Sequence, residues 1–220
     1  KQKILEICQI GKLIAPYFNE YEIIELREKP DFIISNGLAS IGLEHQIIVD
    51  FESKSEEGFY ENICHKVEQN LAKDPEISNV LVNLFLKKSL SFKVNDKANL
   101  INELTDIVKT FIISGELITN KIVESAHKMS HTKINVNPNF GAYMQKMVTE
   151  ELILDSISRK ESKLKNYRNH SIDCQWLVLV IGGTGESSYE VNQSLEISIN
   201  SRFNKIYLYE DFENNLFELK

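Results

Sequence analysis

The sequence predicts an α/β fold on two observations. Short β-branched runs alternate with longer stretches whose apolar residues recur at helical spacing. No Gly/Ser linker, internal repeat or low-complexity tract interrupts that alternation. With 220 residues and no linker, the chain reads as a single domain, 1–220, in which 51–140 is an elaboration between the first strands and the long helix. Its 32 acids against 25 Lys and Arg leave a net charge of −7. A globally basic nucleic-acid binder is thereby excluded, and any basic footprint has to be local.

The elements follow in order. "KQKILEICQIGKLIAPYF" reads as an opening helix with Ile4, Ile7 and Cys8 on one side and Pro16 just past its end. "EIIEL", "DFIIS" and "IGLEHQIIV" are three β-branched runs, the first two separated by "REKP". A helix is expected over 56–74 and a buried strand over 78–86. Leu100, Ile101, Leu104, Ile107, Val108 and Phe111 mark an amphipathic helix. "HTKINVNPNFG" gives a short strand and a turn. A long helix is expected from about Ala142 to Tyr167, then the apolar strand "WLVLVI", and "NKIYLYE" and "NLFEL" close the chain as strands.

The three cysteines, Cys8, Cys64 and Cys174, are widely spaced and fit no metal-ligand pattern, so free thiols are expected. No apolar run reaches the length of a membrane span and no secretory leader pattern opens the sequence, which points to a cytoplasmic protein without membrane association. His127 and His131 stand four apart, a zinc-compatible spacing on a helix, but no Glu-Xaa-Xaa core accompanies them. "VIGGTGESS" lacks the Lys-Ser/Thr of a phosphate-binding loop and reads as a glycine turn after a strand.

The chemistry concentrates in "PDFIISNGLASIGLEHQIIVD", residues 30–50. Side chains alternate along a strand, so Gly42, Glu44, Gln46 and Ile48 share one face, and His45 takes the other. Two hairpin turns are available. With Gly37-Leu38 at the tip, Asp31 lies across from Glu44; with Asn36-Gly37, it lies across from Gly42. Either choice puts Asp31 and Glu44 on the same face. Two carboxylates that close repel unless a cation sits between them, and a hard ion such as Mg²⁺ takes one or two carboxylates while keeping several waters.

"PDFIIS…IGLEHQ" resembles the active-site hairpin of the PD-(D/E)XK nuclease superfamily: Pro-Asp, a variable stretch, then an acid two residues before a Lys. "SRKESKLKNYR…QWLVLVI" and the terminal "SRFNKIYLYE" resemble a bacterial branch of that superfamily, so both ends of the chain are covered and 51–140 hardly at all. The resemblance implies a restriction-endonuclease-like mixed central sheet flanked by helices, with 51–140 as an inserted α/β elaboration. It implies a metal-dependent nuclease in which Asp31 and Glu44 hold Mg²⁺, with Mn²⁺ as a substitute, and Glu25 as a third ligand. The substrate would be nucleic acid, DNA ahead of RNA. The alternative is a relative that kept the fold as a binding or regulatory module and lost the chemistry.

One position departs from the pattern: Gln46 stands where the signature has Lys. The long helix offers a replacement. Ile153, Ile157, Lys160, Leu164 and Tyr167 fall within about 40° of one direction at 100° per residue, so Lys160 is aimed into an apolar stripe. A lone ammonium there is costly without an acidic partner. Lys160 and Gln46 are therefore expected to orient water and phosphate. Five Lys or Arg against the single acid Glu161 over 156–170 supply the local basic face, with Lys163, Lys165 and Arg168 toward the nucleic-acid backbone.

Overall fold

A computed structural model describes residues 2–87, 96–139, 144–164, 172–192 and 197–220. Helix α1 (Gln2–Tyr17) leads into strands β1 (Glu22–Leu26), β2 (Phe32–Ser35) and β3 (Ser40–Ile47). Helix α2 (Phe51–Leu71), strand β4 (Val80–Leu86), helix α3 (Lys97–Ser114) and strands β5 (Val123–Ser130) and β6 (Asn135–Asn139) follow. The chain continues through β7 (Lys146–Met147), α4 (Glu150–Glu161), β8 (Cys174–Ile181), β9 (Tyr189–Glu190), β10 (Lys205–Glu210) and β11 (Asn215–Glu218). The class is α/β, with a mixed central sheet.

The chain divides into two compact units, Lys1–Phe51 with Gln145–Lys220, and Glu52–Met144. The second unit therefore nearly coincides with the expected 51–140 elaboration, and it closes around a core of its own. The inward residues Val80, Val82, Leu84 and Leu86 of β4 meet Ile63, Cys64 and Val67 of α2 and Leu100, Leu104, Val108 and Phe111 of α3. Strand β5 was not legible: "VESAHKMS" carries few apolar residues, and it pairs antiparallel with β4 as an edge strand. His127 lies in β5 and His131 beyond its end, so the helical spacing that would bring these two rings together is absent.

The first unit holds the six-stranded sheet, in the order β1-β2-β3-β8-β10-β11. Strands β1, β2 and β3 form an antiparallel meander; β3, β8 and β10 run parallel; β11 returns antiparallel. Strand β8 is covered on both faces, hence its unbroken apolar run. Trp176, Val178 and Val180 pack toward Ile10, Leu13 and Ile14 of α1, while Leu177, Leu179 and Ile181 pack toward Ile153 and Ile157 of α4.

Two helices differ from their sequence reading. In α1 the buried stripe is Ile10, Leu13 and Ile14, whereas Ile4 and Cys8 are exposed. Pro16 lies inside the last turn instead of just past the end of the helix. Helix α4 begins at Glu150, not near Ala142, because Thr149 caps it by accepting from Leu152 N–H, with Glu150 and Glu151 in the first turn. The residues just before it are drawn into β7, which pairs with β9. All three cysteines are free. No helix among the described residues is long and apolar enough to cross a membrane.

Candidate active site

The β2–β3 turn sets the geometry. Gly37 takes φ 82°, which a side chain would disfavour, and Asn36 Oδ1 accepts from the N–H groups of Leu38 and Ala39 at 3.0 and 2.9 Å. Ser35 pairs with Ser40, Ile33 with Gly42 and Phe32 with Leu43. Of the two turns compatible with the sequence, the one with Gly37-Leu38 at its tip is used. Extended by one step, that register places Asp31 opposite Glu44.

Asp31 sits just before β2, and its Oδ2 accepts from His45 N–H at 2.9 Å. Glu44 is 1% exposed in the middle of β3, beside Leu177 of β8. From α4, the Lys160 ammonium stands 2.7 Å from Glu44 Oε2 and 3.5 Å from Asp31 Oδ2. The stripe that aims Lys160 inward thus brings it to both carboxylates. The other carboxylate oxygen, Glu44 Oε1, is buried and has no hydrogen-bond partner. Burial pushes the Glu44 carboxyl up to about 7; the Lys160 ammonium pulls it back, and the neighbouring Asp31 adds to the rise.

Helix α1 reaches the Asp31 carboxylate as well. Lys3 Nζ lies 3.4 Å from Asp31 Oδ1 and 3.2 Å from the buried Glu6, and over the Phe32 ring at 4.9 Å. Lys3 was missed in the sequence although a signal was there. At 100° per residue, Lys3 and Glu6 fall within about 40° of Ile10, on the inward stripe. Further along that helix, Gln9 Oε1 faces His45 Nε2 at 2.9 Å while Gln9 Nε2 donates to Asp211 Oδ2 at 3.1 Å. The Gln9 orientation makes His45 Nε2–H the donor. Burial holds the His45 imidazole down to about 4, so it is neutral at pH 7. As its strand parity requires, His45 faces away from Glu44.

The remaining expected residues are placed as follows. Gln46 shares the Glu44 face, but its amide donates to Ile47 O at 2.7 Å. Glu25 is exposed on β1 and its carboxylate is held by Arg27 at 2.5 Å, which lowers its pKa from the ordinary value. Lys163 is exposed after α4; Lys165 and Arg168 lie outside the described residues. No group of three or more His, Cys, Asp and Glu side chains suited to a metal ion occurs among the described residues. A hard divalent ion does not require one, since two carboxylates and several waters suffice for Mg²⁺. Asp31 and Glu44 fit that demand, and the orphaned Glu44 Oε1 is the vacant acceptor such an ion would use.

No family model, no curated protein and no solved structure matches this chain.

Proposed function

We propose that this chain is a metal-dependent nuclease with the restriction-endonuclease-like architecture of the PD-(D/E)XK superfamily. The observation that carries the reading is the Lys160 ammonium, held 2.7 Å from buried Glu44 and 3.5 Å from Asp31. An acid pair plus a lysine is the chemistry the hairpin motif calls for, with the lysine drawn from α4 instead of position 46. The parallel trio β3, β8 and β10 between α1 and α4 supports the architecture.

Asp31 and Glu44 would hold Mg²⁺ or Mn²⁺, which when bound supplies Lewis acidity and positive charge against the phosphodiester. The chain's own residues do the rest. His45 N–H fixes the Asp31 carboxylate at the edge of β3. Lys160 offers an ammonium that donates to a phosphate oxygen as negative charge builds there. The exposed Lys163, and the basic run that follows it in sequence, meet the nucleic-acid backbone without reading its sequence. Of the two expected water-orienting groups, Lys160 is the better placed, because the Gln46 amide is occupied by Ile47 O.

The rival reading, a binding or regulatory module, draws on that occupied Gln46 and on Glu25 being committed to Arg27. One assay separates the two. Single- and double-stranded DNA and RNA are incubated with the protein and Mg²⁺ or Mn²⁺, with chelator as blank. Cleavage that needs metal and disappears in Asp31→Asn and Lys160→Met supports the nuclease. Metal-independent binding with no cleavage of any substrate supports the module.

A further inference from the structure

We infer that Gln175 is a third protein oxygen donor for the divalent ion held by Asp31 and Glu44, an inference that rests on the nuclease reading. Among the described residues, the buried side-chain polar atoms without a hydrogen-bond partner are Glu44 Oε1 and both amide atoms of Gln175. They are neighbours. Gln175 of β8 pairs in register with Gly42 of β3, and Glu44 is the next residue on that face. A methyl group at Gly42 would stand 2.6 Å from Gln175 Oε1 and 2.8 Å from Nε2, so the amide lies across the strand in the room that glycine leaves. The backbone of Gln175 is fixed on both sides, donating to Asn204 Oδ1 and accepting from Asn204 N–H, each at 2.8 Å.

A primary amide that is 93% buried and makes no bond is costly, and such groups normally have partners. A partner for it must be small, because the Gln175 amide atoms and Glu44 Oε1 expose almost no surface. It must also suit a carboxylate oxygen and an amide oxygen together. A hard divalent cation meets both conditions, since Mg²⁺, Mn²⁺ and Ca²⁺ take carboxylate and side-chain carbonyl oxygens alike. Gln175 thereby takes the place that the sequence offered to Glu25.

The test is metal binding followed by calorimetry and by the melting temperature, with Mn²⁺ and Ca²⁺ as probes. The variants are Gln175→Met, Gln175→Glu and Gly42→Ala in the full chain. Without metal, Gln175→Met should melt at or slightly above the parent, because a buried orphan amide has been replaced by an apolar chain of similar length. With metal, its affinity should fall about tenfold. Gln175→Glu, which adds an anionic oxygen at the same place, should bind Mn²⁺ more tightly than the parent. Gly42→Ala crowds the amide and should weaken binding in the parent but not in Gln175→Met. If the parent binds metal, loses it in Asp31→Asn and keeps it fully in Gln175→Met, this inference is overturned and the nuclease reading stands. A Gln175→Met variant that unfolds, with Gly42→Ala binding metal like the parent, overturns it too. A parent that binds neither ion overturns both readings.

Discussion

Glu44 and His45 are adjacent in sequence, point to opposite faces and titrate in opposite senses. Glu44 is raised from an ordinary 4.5 to about 7, so the folded chain keeps a proton that the unfolded chain has already lost. Its contribution is present below pH 4.5 and disappears as the pH climbs to 7. His45 is lowered from 6.5 to about 4, so its contribution is present above pH 6.5 and is lost as the pH falls toward 4. Between pH 4.5 and 6.5 the two slopes oppose one another. In chelator, Glu44→Gln should therefore uncover the histidine: between pH 6.5 and 4.5 its stability falls by up to about 1.4 kcal/mol per pH unit relative to the parent. Urea unfolding at three pH values measures this, and parallel profiles would mean that Glu44 is ionised throughout. Lys160→Met acts on the same group. It leaves Glu44 buried without its cation, so the carboxyl takes up a proton instead of staying charged. The cost should be near zero at pH 5 and about 1.4 kcal/mol at pH 8, one unit above the Glu44 titration, alongside loss of cleavage. A cost that is independent of pH would place the effect in packing. Asp31, Glu44 and Lys160 were all legible, because parity and helical spacing depend on the residue's own element. Gln175 was not, since its importance arises from a glycine on a different strand.

At the scale of elements, the site depends on one turn. Shifting from Gly37-Leu38 to Asn36-Gly37 would slide β2 by two residues and set Asp31 opposite Gly42, leaving Glu44 without its neighbour. Gly37 takes a positive φ and Asn36 does not, which is the first alternative, since an Asn36-Gly37 tip would need both. Gly37→Ala should cost about 1–2 kcal/mol, because a residue with a Cβ resists that conformation, and it should reduce metal-dependent stabilisation more than its stability loss explains. Equal melting temperatures for Gly37→Ala and the parent would deny the turn this role. The hairpin, β4, α3, β8 and the closing strands were legible because each carries its own periodicity. The inward face of α1 was misjudged for the opposite reason. Its first turns present Lys3 and Glu6 inward, and polar residues there are explained only by Asp31, which lies on another element. The start of α4 was placed too early because the pairing of β7 with β9 is remote in sequence, although "TEEL" was a readable cap.

The whole molecule is an insertion of one compact unit into another, and the points of entry and exit lie together. Asp50, one residue before α2, accepts from Lys146 at 2.5 Å, and both belong to the unit that carries the site. The core of Glu52–Met144 is built from its own residues, from Tyr60 to Val136. Each half of the carrier sheet, by contrast, is incomplete alone: β3 from the first segment pairs with β8 from the second. Removing the insertion should then leave the carrier intact, since short loops can join ends that already meet. Replacing residues 53–143 with a short Gly-Ser linker should give a chain that unfolds in one cooperative transition and retains a Mn²⁺-dependent rise in melting temperature. Asp31→Asn in that shortened chain should abolish the rise. If the shortened chain is unfolded by circular dichroism, the carrier depends on the insertion and the division into two self-sufficient cores is wrong. If it folds and responds to metal but no longer binds nucleic acid, the insertion supplies substrate contacts.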